Sequence, residues 1–219
     1  MRSIDYPTKA GKNVTKAIDR SFFDGFSGAD YTLGTNAISP NGKWQCQSKG
    51  GTGTVGVTND SFYLHPQHAQ SLQESFSPGV KTIRWFDDFT LDCDILTEAQ
   101  VREPTPRNWE VGWILFRYID STHFWYFLMR KTGPEIGKYD GGTNPESQII
   151  LQQKSTPVCR IGQEYSWRLV ADKHTFVVSV DDVTIFNLNN PSSFNSGKVM
   201  MYSENANVLF DNIKITPLR

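Results

Sequence analysis

The stretch "WEVGWILFRYIDSTHFWYFLMRK", Trp109 to Lys131, decides how this chain is read. Two runs rich in aromatic and apolar residues, Glu110 to Ile119 and His123 to Lys131, flank Asp120-Ser121-Thr122, which is the composition of a β-hairpin with a polar turn. Side chains alternate along a strand. A hairpin turning at Asp120-Ser121-Thr122 therefore puts Trp113, Leu115, Arg117, Ile119, His123, Trp125, Phe127, Met129 and Lys131 on one face. Glu110, Gly112, Ile114, Phe116, Tyr118, Phe124, Tyr126, Leu128 and Arg130 fall on the other. Both faces mix apolar and ionisable residues, so alternation does not separate core from surface. A one-residue change of register would flip one strand relative to the other.

Working outward, the same texture recurs: short β-branched and aromatic runs between Gly, Asn, Asp, Pro and Ser. It predicts further strands near Gly53 to Thr58, Ser61 to His65, Val80 to Phe86, Phe89 to Leu96, Glu135 to Tyr139, Gln148 to Gln152, Ser166 to Ala171, Thr175 to Asp181, Thr184 to Asn187, Lys198 to Ser203 and Asn207 to Ile215. In "VDDVTIF", Asp181-Asp182 suits a two-residue hairpin turn. Helical periodicity is nearly absent, and His68 to Ser75 is the one soft helix candidate. "GGTGTVG", Gly50 to Gly56, precedes a strand rather than a helix and lacks the Lys of a phosphate loop, so it reads as a plain loop. So many strands exceed one open sheet. The expectation is all-β: a two-sheet antiparallel β-sandwich of the jelly-roll kind, with a concave ligand groove. Residues 1–20 read as a polar N-terminal arm and 21–219 as a single domain.

Lys and Arg total 22 against 23 Asp and Glu, a formal charge of -1, so nothing draws the whole molecule to a nucleic acid or an anionic membrane. No apolar run is long enough to span a bilayer, and residues 1–20 lack the apolar core of a signal peptide. Export would then rest on a leader trimmed from this sequence, and an extracellular monomer is expected. Cys46, Cys93 and Cys159 have no zinc-ligand spacing and read as isolated buried thiols.

Aromatic platforms interleaved with cations suit a sugar polymer, because CH-rich ring faces stack on Trp and Tyr while uronate carboxylates suit Arg forks. Beyond the hairpin, "EIGKYD", "YSWRLVA", "FVVSVDDV" and "SGKVMMYSENANVLFDNIKI" complete a pattern that resembles the concanavalin A-like lectin/glucanase jelly rolls. More narrowly it resembles laminin-G-like and family-16-like glycan modules, a superfamily that includes jelly-roll polysaccharide lyases. The resemblance covers roughly Phe22 to Pro217 and implies a polysaccharide or oligosaccharide partner. The E-x-D-x-x-E strand of the superfamily's glucanases is absent, as are the lyase patterns R-[ST]-E-x-R, Q-[IV]-H and Y-x-K-x-G.

The favoured chemistry is β-elimination on a uronate-containing polysaccharide, which needs a carboxylate neutraliser, a base for the C5 proton and an acid for the leaving oxygen. Arg117 or Arg130 suits the first role, His123 or Lys131 the second, Tyr126 or Tyr118 the third. Arg117, His123, Tyr126 and Lys131 are the catalytic candidates; Trp113, Tyr118, Trp125, Arg130, Glu135 and Lys138 are the substrate-binding ones. One alternative is a non-catalytic glycan-binding module stacking sugars on Trp113, Trp125 and Tyr126. The other is a glycoside hydrolase, which needs two carboxylates about 5–10 Å apart, drawn from Glu110, Glu135, Asp140 and Glu204. The resemblance also implies a structural Ca2+ where first and last strands meet, with Asp24 and Asp211 as ligands. No organic cofactor is expected.

Overall fold

The computed structural model describes residues 21–142, 147–173, 175–189 and 194–218. The expected N-terminal arm lies outside them. Two antiparallel sheets pack face to face. In spatial order the nine-stranded sheet holds β14 (Val183–Asn189), β13 (Thr175–Val180), β12 (Glu164–Asp172), β7 (Phe89–Gln100), β16 (Ala206–Pro217), β5 (Ser61–His65), β4 (Thr54–Thr58) and β2 (Tyr31–Thr32), with β1 (Phe22–Asp24) also paired to β16. The seven-stranded sheet runs β11 (Gln148–Gln153), β10 (Gly133–Asp140), β9 (His123–Arg130), β8 (Gly112–Asp120), β15 (Lys198–Ser203), β6 (Pro78–Thr82) and β3 (Trp44–Lys49).

Each layer is half-buried by alternation. In β12, "EYSWRLVAD", Tyr165, Trp167, Leu169 and Ala171 point inward while Glu164, Ser166 and Arg168 face solvent. The core forms where these inner faces meet: Phe127 packs 4.4 Å from Trp167, and Phe176 lies 5.1 Å from Phe116 and 5.0 Å from Trp125, centroid to centroid. Burying each such ring contributes roughly 1.5–3 kcal/mol. Cys46, Cys93 and Cys159 are buried and unpaired.

The Asp181-Asp182 turn forms as expected: Val180 pairs with Val183, and both aspartates take positive φ, 48° and 62°. Three expectations are corrected. No α-helix occurs among the described residues, and His68 to Ser75 is an irregular loop tied at Ala69 to Val101 and Glu103 by backbone hydrogen bonds. Three strands were not anticipated, β1, β2 and β3; in β3, "WQCQSK", inward Trp44 and Cys46 are interleaved with glutamines that mute the apolar signal. The third correction concerns the hairpin, whose turn is two residues long, with Asp120 opposite His123.

That shorter turn is combined with a bulge between Phe116 and Asp120, so Trp113 pairs with Leu128 and Leu115 with Tyr126. Trp113, Leu115, Tyr118, Phe124, Tyr126 and Leu128 consequently share the outer face, while Ile114, Phe116, Trp125, Phe127 and Met129 pack the core. Arg117 sits in the bulge at φ 47°. Gly197 on the neighbouring chain segment makes room for it, since a Cβ there would stand 2.2 Å from the Arg117 carbonyl carbon.

Candidate functional site

The outer face of the seven-stranded sheet carries a trough of about 320 Å³. Its lining runs from Gln47 and Ser48 on edge strand β3, through Met200, Tyr202, Trp113, Leu115, Tyr118, Phe124 and Tyr139, to Gln148 on the opposite edge, β11. The trough therefore crosses the strands. Two rows of rings underlie it. In one, Tyr118, Phe124 and Tyr139 stack in series at 5.9 and 5.0 Å with interplanar angles of 28° and 26°. In the other, Trp113 lies between Tyr202, edge-on at 5.7 Å and 76°, and the fully buried Tyr126, tilted at 5.3 Å and 43°. Cross-strand pairing creates both rows: Tyr139 is opposite Phe124, and Tyr202 opposite Trp113.

Beside the floor, Glu135 is saturated with donors. Tyr126 Oη donates to it at 2.8 Å, Gln153 Nε2 at 2.8 Å, and Arg130 Nη1 pairs with it at 3.0 Å. Gly137 is what lets Tyr126 reach across, because a Cβ there would stand 2.4 Å from the phenol oxygen. Burial, reinforced by the Glu135 charge, pushes the Tyr126 phenol far above its ordinary range. Burial, with the Glu204 charge behind it, also raises Tyr139 and Tyr202; Tyr118 is raised by burial and by Asp120. These phenols stay protonated at neutral pH, and those of Tyr118, Tyr139 and Tyr202, which line the trough, can both donate to and accept from sugar hydroxyls.

The structure separates the four catalytic candidates. Tyr126 is on the outer-face side of its strand but is fully buried beside Trp113, its hydroxyl donating to Glu135 and accepting from Gln148 Nε2, so it does not line the trough. Arg117 is buried behind it, donating to Lys173 O at 2.6 Å and Asp88 Oδ1 at 3.2 Å, with its guanidinium over Phe176. His123 is at the hairpin tip, its Nδ1 3.0 Å from Asp120 Oδ1, and its ring meets Phe194. Lys131 follows the far end of β9, roughly 26 Å from His123 at strand rise, with Nζ 3.4 Å from Gln100 Oε1. Of the substrate-binding candidates, Trp113 and Tyr118 line the trough, while Arg130 and Glu135 form the pair beside it. Trp125 is a core residue, and Lys138 lies over its ring while pairing with Asp140. Glu110 is wholly buried, held by Arg102, by Asn205 Nδ2 at 3.1 Å and by the Arg107 amide at 2.9 Å.

Phe124, Tyr139, Met200, Tyr202, Gln47 and Gln148 also line the trough and were not singled out from sequence, whereas Glu204, a carboxylate candidate for hydrolysis, is in the lining. Phe124 and Tyr139 were within reach, since both lie on expected strands at the parity of Tyr126. Glu204 sits in the turn after β15, where it accepts the Ser75 hydroxyl at 2.9 Å. Asn205 clamps that turn through Phe76 and the buried Glu110.

First and last strands do meet, with Asp24 opposite Ile213. The Asp24 carboxylate is turned toward donors: Oδ1 accepts the Phe26 amide at 3.1 Å, and Oδ2 accepts Trp44 Nε1 and Asn41 Nδ2, each at 2.8 Å. Asp211 accepts the Asn212 amide. Among the described residues no three of His, Cys, Asp and Glu gather as a metal site. This donor-rich setting does not fit Asp24 as a calcium ligand.

Fold and trough together define a concanavalin A-like jelly roll with an aromatic surface cleft. No family model and no curated protein matches the sequence. Solved structures do match. The carbohydrate binding module CBM66 from Bacillus subtilis superposes with a TM-score of 0.56 at 16% identity, covering 83% of this chain and 98% of that one. The Bacillus licheniformis β-glucanase gives 0.55 at 11% identity, covering 91% and 98%. An immunostimulatory antigen and pseudo β-1,3-glucanase of Mycobacterium tuberculosis gives 0.55 at 14%, covering 90% and 98%. At these identities the likeness establishes the fold. No helix among the described residues is long and apolar enough to cross a membrane.

Proposed function

We propose that the chain is a glycan-binding module that holds a polysaccharide or oligosaccharide across the strands of its seven-stranded sheet, in an extracellular setting. The observation that carries this is the row Tyr118, Phe124 and Tyr139 in the trough lining, with Trp113 and Tyr202 beside it, because apolar aromatic surface with polar margins suits sugar rings. The solved structures of similar fold, a carbohydrate-binding module among them, support it. Hydrolysis is less well served. Glu110 is buried in an ion pair, Glu135 is saturated by donors and Asp140 is paired with Lys138, which leaves Glu204 as the one carboxylate in the trough lining. Elimination keeps one foothold, in that Glu135 joins Tyr126 to Arg130.

Affinity electrophoresis in gels containing alginate, glucuronan, pectate, hyaluronan or a neutral β-glucan, run beside absorbance at about 230 nm and a reducing-end assay, decides among these. Retardation in at least one gel with both assays flat is the expected result. A rise in absorbance on any uronate polymer would replace binding by elimination, and new reducing ends without it would replace binding by hydrolysis.

A further inference from the structure

Beside the trough, on the same sheet face, lies a charge pair that the stacking argument does not use. Lys81 on β6 is opposite Met200, and Lys198 on β15 is opposite Tyr118, so both lysines lie on the trough face. They are diagonal cross-strand neighbours, close enough to interact directly. Lys81 Nζ stands 5.6 Å from the centroid of the Tyr118 ring and donates to Gln47, two residues that line the trough. Both lysines are half-buried, and neither has a salt bridge to a carboxylate among the described residues. Like charges set side by side in a partly desolvated cleft cost stability unless an anion joins them. Burial and the charge of Lys198 accordingly draw the Lys81 ammonium below its ordinary range.

The carboxylates on this face are otherwise engaged or remote. Arg130 neutralises Glu135. Asp120, near Tyr118, is occupied by the Thr122 amide and hydroxyl and by His123. Glu204 follows the opposite end of β15, roughly 20 Å from Lys198 at strand rise.

We propose that Lys81 and Lys198 form an anion subsite at the Tyr118 end of the trough, which takes the carboxylate of a uronic acid unit while its sugar ring stacks on the adjoining aromatic row. The inference rests on the trough being a saccharide site. It makes the ligand an acidic glycan and gives its recognition to residues outside the hairpin. Two ammonium groups donating charge-assisted hydrogen bonds to one carboxylate should favour the acidic sugar by about tenfold at low salt. The preference should shrink with added salt, because the site is partly open to solvent.

The test is calorimetric titration of the intact protein with oligogalacturonate, oligoguluronate and oligoglucuronate, each against its carboxyl-reduced neutral counterpart of equal length. Expected is a preference of about tenfold for at least one acidic member at low salt. It should fall toward unity in the double variant Lys81→Met/Lys198→Met, with affinity for the neutral counterpart kept. Should the double variant not fold, the two single variants measure the same ratio. Equal affinity for acidic and neutral members overturns the subsite and leaves the trough reading standing. An unchanged preference in the lysine variants also overturns it. Binding to neither member of any pair overturns subsite and trough together.

Discussion

Arg117→Met is expected to lower stability and leave saccharide binding intact. The guanidinium is 1% exposed, donates to Lys173 O and Asp88 Oδ1, and lies 5.1 Å from the Phe176 centroid. Methionine retains much of the packing of the stem, and the positive φ at this position burdens both residues alike, so the loss is confined to the charged head. Removing one partner of a fully buried pair costs roughly 3–5 kcal/mol. Asp88 is 17% exposed and keeps the Lys173 amide at 2.7 Å, which reduces the expected cost to about 2–3 kcal/mol. For a domain of this length that corresponds to a fall in Tm of roughly 5–10 °C. Thermal melts followed by circular dichroism give the first quantity, and affinity electrophoresis well below the melt gives the second. An unchanged Tm, or a folded variant that has lost its ligand, would refute the structural role and return Arg117 to the site.

Phe124→Ala should remove the central ring of the row formed with Tyr118 and Tyr139, weakening saccharide binding about tenfold; calorimetry showing unchanged affinity would take that row out of the site. Asp120 is held down to about 2, chiefly by the Thr122 amide, then by the Thr122 hydroxyl and His123. Because its folded-state value is depressed, its contribution is present above the ordinary carboxylate range and is lost as pH falls through about 2; the group is largely exposed, so the contribution is under about 1 kcal/mol. An NMR titration should show this low midpoint in the native protein, and an ordinary midpoint near 4 would refute the turn geometry. Since the Asp24 carboxylate is turned toward N–H donors, calcium or chelator should move Tm by less than about 1 °C; a calcium-dependent rise of several degrees would reinstate Asp24 and Asp211 as ligands.

The fold was legible because its signal is repeated. Alternation in stretches such as "EYSWRLVAD" and turn residues such as Asp181-Asp182 point the same way many times over, and errors at single strands do not change the sum. β1 and β2 escaped because they are short, and β3 because its exposed positions carry glutamines rather than β-formers. The site was less legible, because it depends on parity at one place. A two-residue turn and a bulge around Arg117 moved Trp113 and Leu115 to the face of Tyr126 and left Trp125 in the core. No composition or spacing within the hairpin announces a bulge. Tyr202, Gln47 and the lysines at 81 and 198 come from distant parts of the chain, and only pairing of β15 with β8 and β6, and of β6 with β3, brings them beside the hairpin.

The same bulge bears on how this protein can diverge. Phe116 faces inward, and Tyr118 faces the trough, as consecutive residues of an unbulged strand would. Between the Phe116–Trp125 and Asp120–His123 pairs three residues of β8 face Phe124 alone, so two are extra; Arg117 is the one between Phe116 and Tyr118, and a chain lacking it could run directly from one to the other with both rings on their present sides. A residue gained or lost between Gly112 and Phe116 would instead carry Trp113 and Leu115 toward the core and Ile114 outward. Among descendants of such a hairpin, an indel at 117 should be tolerated by the ligand even while it costs stability, whereas one a few positions earlier should change what is bound.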